Sequence, residues 1–261
     1  ELLKSNLVKL DKNNNIRDFF YNRLMFPITN EYGKIVGFGG RVLDNSNPKY
    51  INSPESDFFK KRNILYNLYD AKQTIRSKKN MLICEGYMDV ISLYDKNIKT
   101  AVAPLGTSLT ESHLILSWKN VSKPTLMFDG DTSGLKASFK SAVMSLPYLT
   151  PSKLLQFVIL PNQYDPDTFI NEFSLNEFAQ YLKNPLSIVD FIFEESSKSI
   201  DLSKSDNKVI FDNYIDELVT NIKDSKIKYF YKNEFKSLFF KKLKSFSNTI
   251  NTINIIPTKK S

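Results

Sequence analysis

Apolar and polar residues alternate in short blocks through the middle of the chain, and three of those blocks share one design. Met81-Leu82-Ile83-Cys84 is apolar and gives way to Glu85, with Asp89 just inside the helical pattern that follows. Thr125-Leu126-Met127-Phe128 ends in Asp129-Gly130-Asp131, and Leu155-Gln156-Phe157-Val158-Ile159-Leu160 leads within a few residues to Asp165-Pro166-Asp167. Short apolar runs that alternate with helical patterns predict the strands of a parallel sheet, and ligands of such sheets collect outside the carboxyl ends of the strands. Three strand ends therefore direct Glu85, Asp89, Asp129, Asp131, Asp165 and Asp167 toward one crevice.

The pattern before this unit is mixed. Leu2, Leu3, Leu7 and Leu10 have helical spacing and predict the tail of a helix, closed by a loop at Asp11-Lys12-Asn13-Asn14-Asn15. A further helical segment is expected from Ile16 to Arg23. Strand character then runs from Arg23 to Ile28, turns at Glu31-Tyr32-Gly33-Lys34 and returns from Ile35 to Leu43, which predicts a hairpin. Gly37, Gly39 and Gly40 leave the second strand bare, for a close backbone approach or for a bulge. Tyr69 to Ser77 reads as a helix, and Ser77-Lys78-Lys79-Asn80 as the entry to the acidic unit.

Within that unit helices are expected from Tyr87 to Lys96, from Thr110 through Trp118 and from Asp131 to about Leu146, with a short strand at Thr100–Ala103. Thr107 and Ser108, in the crossover loop, could face the crevice. Asp131 could cap its helix as well as bind a ligand, since a carboxylate has two oxygens. His113 is the only histidine and reads as a surface or capping residue, and Trp118 and Cys84 read as packing. From Asp167 onward there is no glycine, and apolar residues recur at helical spacing, which predicts a bundle of four or five helices with Phe230, Phe235, Phe239 and Phe240 in its core. The polar stretch from Asn248 to Ser261 reads as frayed or as a linker. The resulting fold class is α/β: a parallel sheet flanked by helices, a basic mixed N-terminal subdomain and a C-terminal helical bundle, with boundaries at 1–76, 77–166 and 167–261.

Composition narrows the setting. The chain has 261 residues and begins at Glu1, so a fragment or a processed product is expected. One cysteine excludes an internal disulfide framework and a four-cysteine zinc site, and no apolar run approaches the roughly 20 residues needed to span a bilayer. A soluble, cytoplasmic protein without membrane contact is expected, acting as a monomer. The net charge of +8 is unevenly placed: residues 1–84 carry 15 Lys/Arg against 8 Asp/Glu, residues 85–175 carry 7 against 9, and the remainder 14 against 11. A basic front section beside an acidic middle suits a polyanion guided toward a metal site, although abundant surface lysine would by itself raise the total.

Crowded carboxylates repel one another unless a cation lies between them. Oxygen-only ligands without His or Cys suit Mg²⁺ or Mn²⁺ rather than zinc, and the chemistry expected of such a site is phosphoryl or nucleotidyl transfer. Each acid taken singly could equally cap a helix or close a turn; the threefold repetition favours the metal. Ahead of the acids, Pro48-Lys49-Tyr50-Ile51-Asn52-Ser53-Pro54-Glu55 and Phe58-Phe59-Lys60-Lys61-Arg62 interleave basic and aromatic residues. Single-stranded nucleic acid prefers such surfaces, because bases stack while phosphates pair with charge.

Glu85-Gly86-Tyr87-Met88-Asp89-Val90, Asp129-Gly130-Asp131 with Gly134, and Asp165-Pro166-Asp167 resemble the signature of a Toprim domain. Together with Arg23-Leu24-Met25-Phe26-Pro27-Ile28, Phe38-Gly39-Gly40-Arg41-Val42, Pro48-Lys49-Tyr50, Asn52-Ser53-Pro54-Glu55 and Leu65-Tyr66, they resemble the polymerase core of bacterial-type DNA primases of the DnaG family, over about residues 17–195. The resemblance implies a nucleotidyltransferase of the primosome that copies single-stranded DNA into short RNA primers from ribonucleoside triphosphates. It implies Glu85, Asp129 and Asp131 as catalytic metal-binding acids, with Asp89, Asp165 and Asp167 completing the set and Glu85 alternatively serving in proton transfer. It carries a template- and nucleotide-binding role to Arg23, Arg41, Lys49, Tyr50 and Lys61. Arg62 and Asn67 depart from the family pattern, which leaves Lys61 and Lys60 both open for that role. The family's zinc-binding module and its helicase-binding tail are not among these residues. A different Toprim nuclease or topoisomerase-like enzyme, or a non-catalytic remnant that binds single-stranded DNA, would share parts of the pattern.

Overall fold

The computed structural model describes Leu3, Ser5, residues 7–106 and residues 108–253, with side chains described as far as Lys244. It opens with a small hairpin, β1 (Val8–Leu10) against β2 (Ile16–Asp18). The helices expected here are strands instead. Asp11 Oδ1 accepts the N–H groups of Asn13 and Asn15, each at 2.9 Å, and Asn14 turns back with φ 60°, so the polar run closes a tight reversal. Leu10 and Ile16 stay exposed, leaving no buried face for helical spacing to serve; Leu2 lies outside the described residues.

The second hairpin is as expected. β3 (Arg23–Thr29) and β4 (Ile35–Val42) pair antiparallel, and β5 (Tyr50–Asn52) adds a third strand to β4. The register shift falls at Ile28/Thr29 and not at the glycines. Those serve close approach: the Phe59 ring lies against Gly37, and a Cβ on Gly40 would come within 2.7 Å of the Phe20 ring.

After α1 (Leu68–Lys78) the chain alternates β6 (Leu82–Ile83), α2 (Tyr87–Asp95), β7 (Ala101–Val102), α3 (Glu111–Trp118), β8 (Thr125–Leu126), α4 (Thr132–Ser145) and β9 (Gln156–Phe157). These four strands are parallel, in the order β9-β8-β6-β7. Helices α5 (Pro166–Glu172) and α6 (Leu175–Lys183) follow, then β10 (Leu186–Ser187), α7 (Ile188–Ser197), α8 (Ser205–Thr220) and α9 (Ser225–Ile253). The wholly parallel sheet and wholly helical last third need one correction: β10 returns antiparallel along the outer edge of β9. Its two residues, the second of which is also the α7 N-cap, carry no period that a sequence pattern could register.

Strand alternation sets the core. Ile83, Val102, Leu126 and Phe157 face one side, against α1, α3, α4 and α7, where Phe157 stacks on Phe191 at 4.2 Å between ring centroids. Leu82, Ala101, Met127 and Val158 face the other, against α2, α5 and α6. Trp118 is buried with Nε1 donating to the Leu154 carbonyl, and Cys84 is buried with its thiol pushed well above the ordinary value by burial. Of the aromatic residues expected in the last core, Phe235 is buried and Phe239 packs at its edge, whereas Phe230 and Phe240 face solvent. No helix among the described residues is long and apolar enough to cross a membrane.

Candidate active site

β6 lies between β7 and β8, so the crossovers that follow β6 and β8 leave in opposite directions. The crevice of a parallel sheet opens at such a switch point. Glu85 follows β6 and Asp129 follows β8, which puts both at that point, while Asp165 is the N-cap of α5 beyond β9. A cavity of about 520 Å³ forms there. Glu85, Asp89, Asp129, Asp165 and Asp167 line one side; Arg41, Lys49, Tyr50 and Asn52, carried in by β4 and β5, line the other.

Local structure aims each acid. Asp89 accepts the Gly86 N–H at 2.9 Å and is capped further by the Asp167 N–H. Asp131 accepts the Gly134 N–H at 2.7 Å as the N-cap of α4, and it stands outside the cavity lining. Asp165 accepts the Thr168 N–H at 2.6 Å. Asp167 takes the Ser92 hydroxyl at 2.5 Å and the Asn171 amide at 2.9 Å. The Asp129 N–H donates to Glu85. Helix and turn donors thus engage these carboxylates on the protein's own side, as helix starts favour.

The strand-end loops are joined main chain to main chain. Gly130 donates its N–H to the Tyr164 carbonyl at 2.8 Å, and a Cβ on Gly130 would lie 2.3 Å from the Pro161 carbonyl oxygen. Only glycine allows the two loops to approach so closely.

Electrostatically the acids burden one another. Burial, then the charges of Glu85, Asp165 and Asp131, pushes Asp129 up to about 7. Burial is the first cause for Asp89, also raised to about 7, with Asp129 and Asp165 adding to it and the Gly86 N–H opposing. Glu85 is raised as well, by burial and then by Asp131. Among the described residues no three acidic, His or Cys side chains close into a ready-made metal cage.

The basic candidates are dispersed. Arg41 and Lys49 flank the Tyr50 ring, at 5.5 and 5.7 Å from its centroid, and all three face the acids. Arg23 is turned inward: its guanidinium donates to the carbonyls of Pro48, Lys49 and Gly40 at 2.8, 3.3 and 3.4 Å, so it fastens the β5 approach. Lys61 sits in a 3-10 turn, Lys61–Asn63, outside the cavity. Ser108 is exposed and does not line the cavity, and Thr107 lies outside the described residues. His113 caps its helix as expected but is fully buried.

Two lining residues carried no chemical role in the sequence. Asn52 Oδ1 and the Tyr87 hydroxyl are buried without a hydrogen-bond partner, while Asn52 Nδ2 donates to the Leu105 carbonyl at 3.1 Å. They belong to Asn52-Ser53-Pro54-Glu55 and to Glu85-Gly86-Tyr87, but only the fold brings residue 52 beside residues 87 and 105.

A parallel sheet with acids at the carboxyl ends of its strands and a basic β-subdomain across the cavity defines a Toprim-containing α/β protein. The Toprim domain family matches residues 79–152, and the N-terminal domain of the DNA primase catalytic core matches residues 1–72. The DNA primase of Buchnera aphidicola is 42% identical over 208 residues, 80% of this chain and 36% of that protein. A DNA primase domain from Pseudomonas aeruginosa superposes with a TM-score of 0.85 at 31% identity, covering 91% of this chain and 75% of that one. A DnaG primase catalytic domain bound to single-stranded DNA superposes at 0.83 with 33% identity, covering 90% and 76%. The chain belongs to the DnaG family of DNA primases, and it spans about a third of the length of the curated primases it matches.

Proposed function

We propose that this chain carries the nucleotidyl-transfer centre of a primase, joining ribonucleotides on a single-stranded DNA template into short RNA primers. The observation that carries this reading is the meeting of Glu85, Asp129 and Asp165, from three strand ends, with Arg41 and Lys49 across one cavity. In this reading residues 1–76 supply the basic wall, 77–166 all the acids but Asp167, and 167–261 that last acid and the helical support. A replicative helicase is the partner expected of a protein with this activity.

The donor set fits a hard divalent ion. It is oxygen-only, partly buried, and its mutual repulsion is relieved by positive charge; Mg²⁺ in particular takes one or two carboxylates and keeps several waters, so a closed cage is not required. Glu85 and Asp129 would hold such ions; Asp131, outside the cavity lining but close enough for its charge to raise both, would join them through the carboxylate oxygen its helix cap leaves over, with Asp89, Asp165 and Asp167 completing or orienting the set. Bound Mg²⁺ or Mn²⁺ would supply activation of a primer 3′-hydroxyl and charge stabilisation at the α-phosphate and the departing pyrophosphate.

The remaining work falls to the chain itself. Arg41 and Lys49, both over the Tyr50 ring, bind phosphate oxygens. Glu85, raised by burial, can alternatively take the hydroxyl proton at its free carboxylate oxygen. Asn52 Oδ1 and the Tyr87 hydroxyl, unpartnered beside the acids, offer polar contacts to a bound nucleotide.

With Mg²⁺ or Mn²⁺, a single-stranded template and ribonucleotides, the wild-type chain is expected to make short RNA, and Asp129→Asn to lower the rate roughly 10²–10³-fold. Template cleavage without synthesis would favour a Toprim nuclease, and binding alone a non-catalytic remnant.

A further inference from the structure

The basic turn at Lys60-Lys61-Arg62 lies outside the cavity, yet its backbone is pinned from two sides. The Lys61 N–H donates to Glu55 Oε1 at 3.0 Å. From the opposite side the start of α3 reaches the carbonyls: Thr110 Oγ1 donates to the Arg62 carbonyl at 2.9 Å, and His113 Nε2 lies 2.9 Å from the Lys61 carbonyl.

The tautomer of His113 follows from its other nitrogen. Nδ1 accepts the Thr110 N–H at 3.2 Å and is therefore unprotonated, which leaves the proton on Nε2 to donate to Lys61. Burial holds this ring below the ordinary histidine range, so the neutral form persists at neutral pH.

Phe59 and Ile64, on either side of the turn, are buried in the same apolar cluster as Tyr87, whose ring lines the cavity. The Lys60, Lys61 and Arg62 side chains enter no ion pair among the described residues. Lys61 therefore has its peptide groups fixed at both ends and its ammonium left for another partner. A flexible lysine loses conformational freedom when it binds a phosphate, and fixing its backbone beforehand lowers that cost.

We infer that His113, with Thr110 and Glu55, is a positioning residue that fixes where the Lys61 ammonium meets a phosphate of the single-stranded template. Helix α3 of the Toprim unit thereby sets part of the track by which the strand approaches the acids. The inference rests on the reading of this chain as a nucleic-acid polymerase and gives that reading a second contact region, apart from Arg41 and Lys49.

Binding of a fluorescently labelled oligo-dT to the 261-residue chain, titrated across salt concentrations, tests it. Lys61→Ala is expected to reduce the slope of log affinity against log salt by about 0.7, the share of one phosphate contact on a single strand. His113→Asn keeps an oxygen for the Thr110 N–H but cannot reach the Lys61 carbonyl, and is expected to reduce the slope equally while the chain stays folded. His113→Gln, which returns an amide N–H to the Nε2 position, is expected to restore it. In a Lys61→Ala background, His113→Asn should change nothing further.

A His113→Asn slope equal to wild type, or a loss that adds to that of Lys61→Ala, overturns the inference. If His113→Asn fails to fold, Glu55→Ala releases the Lys61 N–H at an exposed site, and an unchanged slope there overturns it too. A wild-type slope for Lys61→Ala itself removes Lys61 from the phosphate contacts and the inference with it. Loss of all oligo-dT binding by the wild-type chain would instead sink the polymerase reading.

Discussion

The two walls of the cavity are built on opposite plans. The acids are aimed by short, local bonds from helix starts and turns, such as the Gly86 N–H on Asp89 and the Thr168 N–H on Asp165. They are partly buried and repel one another, with Asp89 and Asp129 both lifted to about 7. Across from them Arg41 and Lys49 meet no carboxylate within ion-pair distance among the described residues and gather about a single aromatic ring. The donors on that wall fix the carboxylate oxygens in place, as a compact ion would require, while burial and mutual repulsion raise Asp89 and Asp129. A strand of phosphates presents charge at many places, and the wall that meets it can be loose and open to water. Fixed geometry belongs to the acidic side, adaptable charge to the basic side.

If the basic wall acts through charge, removing it should hurt binding most. Arg41→Ala combined with Lys49→Ala is expected to weaken oligo-dT affinity by about tenfold and to lower the salt slope by about 1.4, two contacts' worth. The same pair should leave the metal-free melting temperature nearly unchanged. A large loss of stability without a change in slope would erase the contrast between the walls.

The strain on the acidic wall should appear as a dependence on pH. In the metal-free chain Asp89 and Asp129 are held near 7 against an ordinary value of 3.8, so the folded state binds more protons than the unfolded state between those values. Stability is full below the unfolded value and is lost as pH rises through the folded one. Melting in a chelator should therefore fall by on the order of a few degrees from pH 5 to pH 8, and Mg²⁺ should reverse the fall by favouring the ionised forms. Asp129→Asn, the variant expected to slow synthesis, should melt higher than wild type at pH 8 without metal. A flat profile would mean that the acids are already relieved.

The smallest effect expected is at Arg23, where the basic side borrows the rigid plan. Arg23→Lys loses the forked bonds to the Pro48 and Lys49 carbonyls and should cost about 1 kcal/mol of stability, measured by denaturant unfolding. Its salt slope should match wild type. A fallen slope would move Arg23 from fastening into direct contact.

The difference between the walls also explains what the sequence disclosed. Acids that end apolar runs are written locally: the strand, the acid and the next helix lie within a few residues, so Glu85, Asp129 and Asp165 could be placed from pattern alone. Switch-point order could not, because nothing near β6 states that β8 and not β7 lies on its acidic flank. The first hairpin misread as helix because Leu3, Leu7 and Leu10 keep helical spacing while their exposure removes its physical meaning. The turn chemistry of Asp11 to Asn15 prevailed over periodicity. Asn52 and His113 were opaque for a different reason: their partners, the Leu105 and Lys61 carbonyls, are about fifty residues away in sequence.

The contact at Gly130 bears on all of this. Because its N–H meets the Tyr164 carbonyl and its bare Cα meets Pro161, the span between Asp129 and Asp165 is gauged by peptide against peptide, with no carboxylate taking part. Chemistry can then be silenced at a single acid while the mould around it keeps its dimensions. One methyl group added at Gly130 would press on the Pro161 carbonyl, prise the two loops apart and shift Asp129 and Asp165 relative to each other.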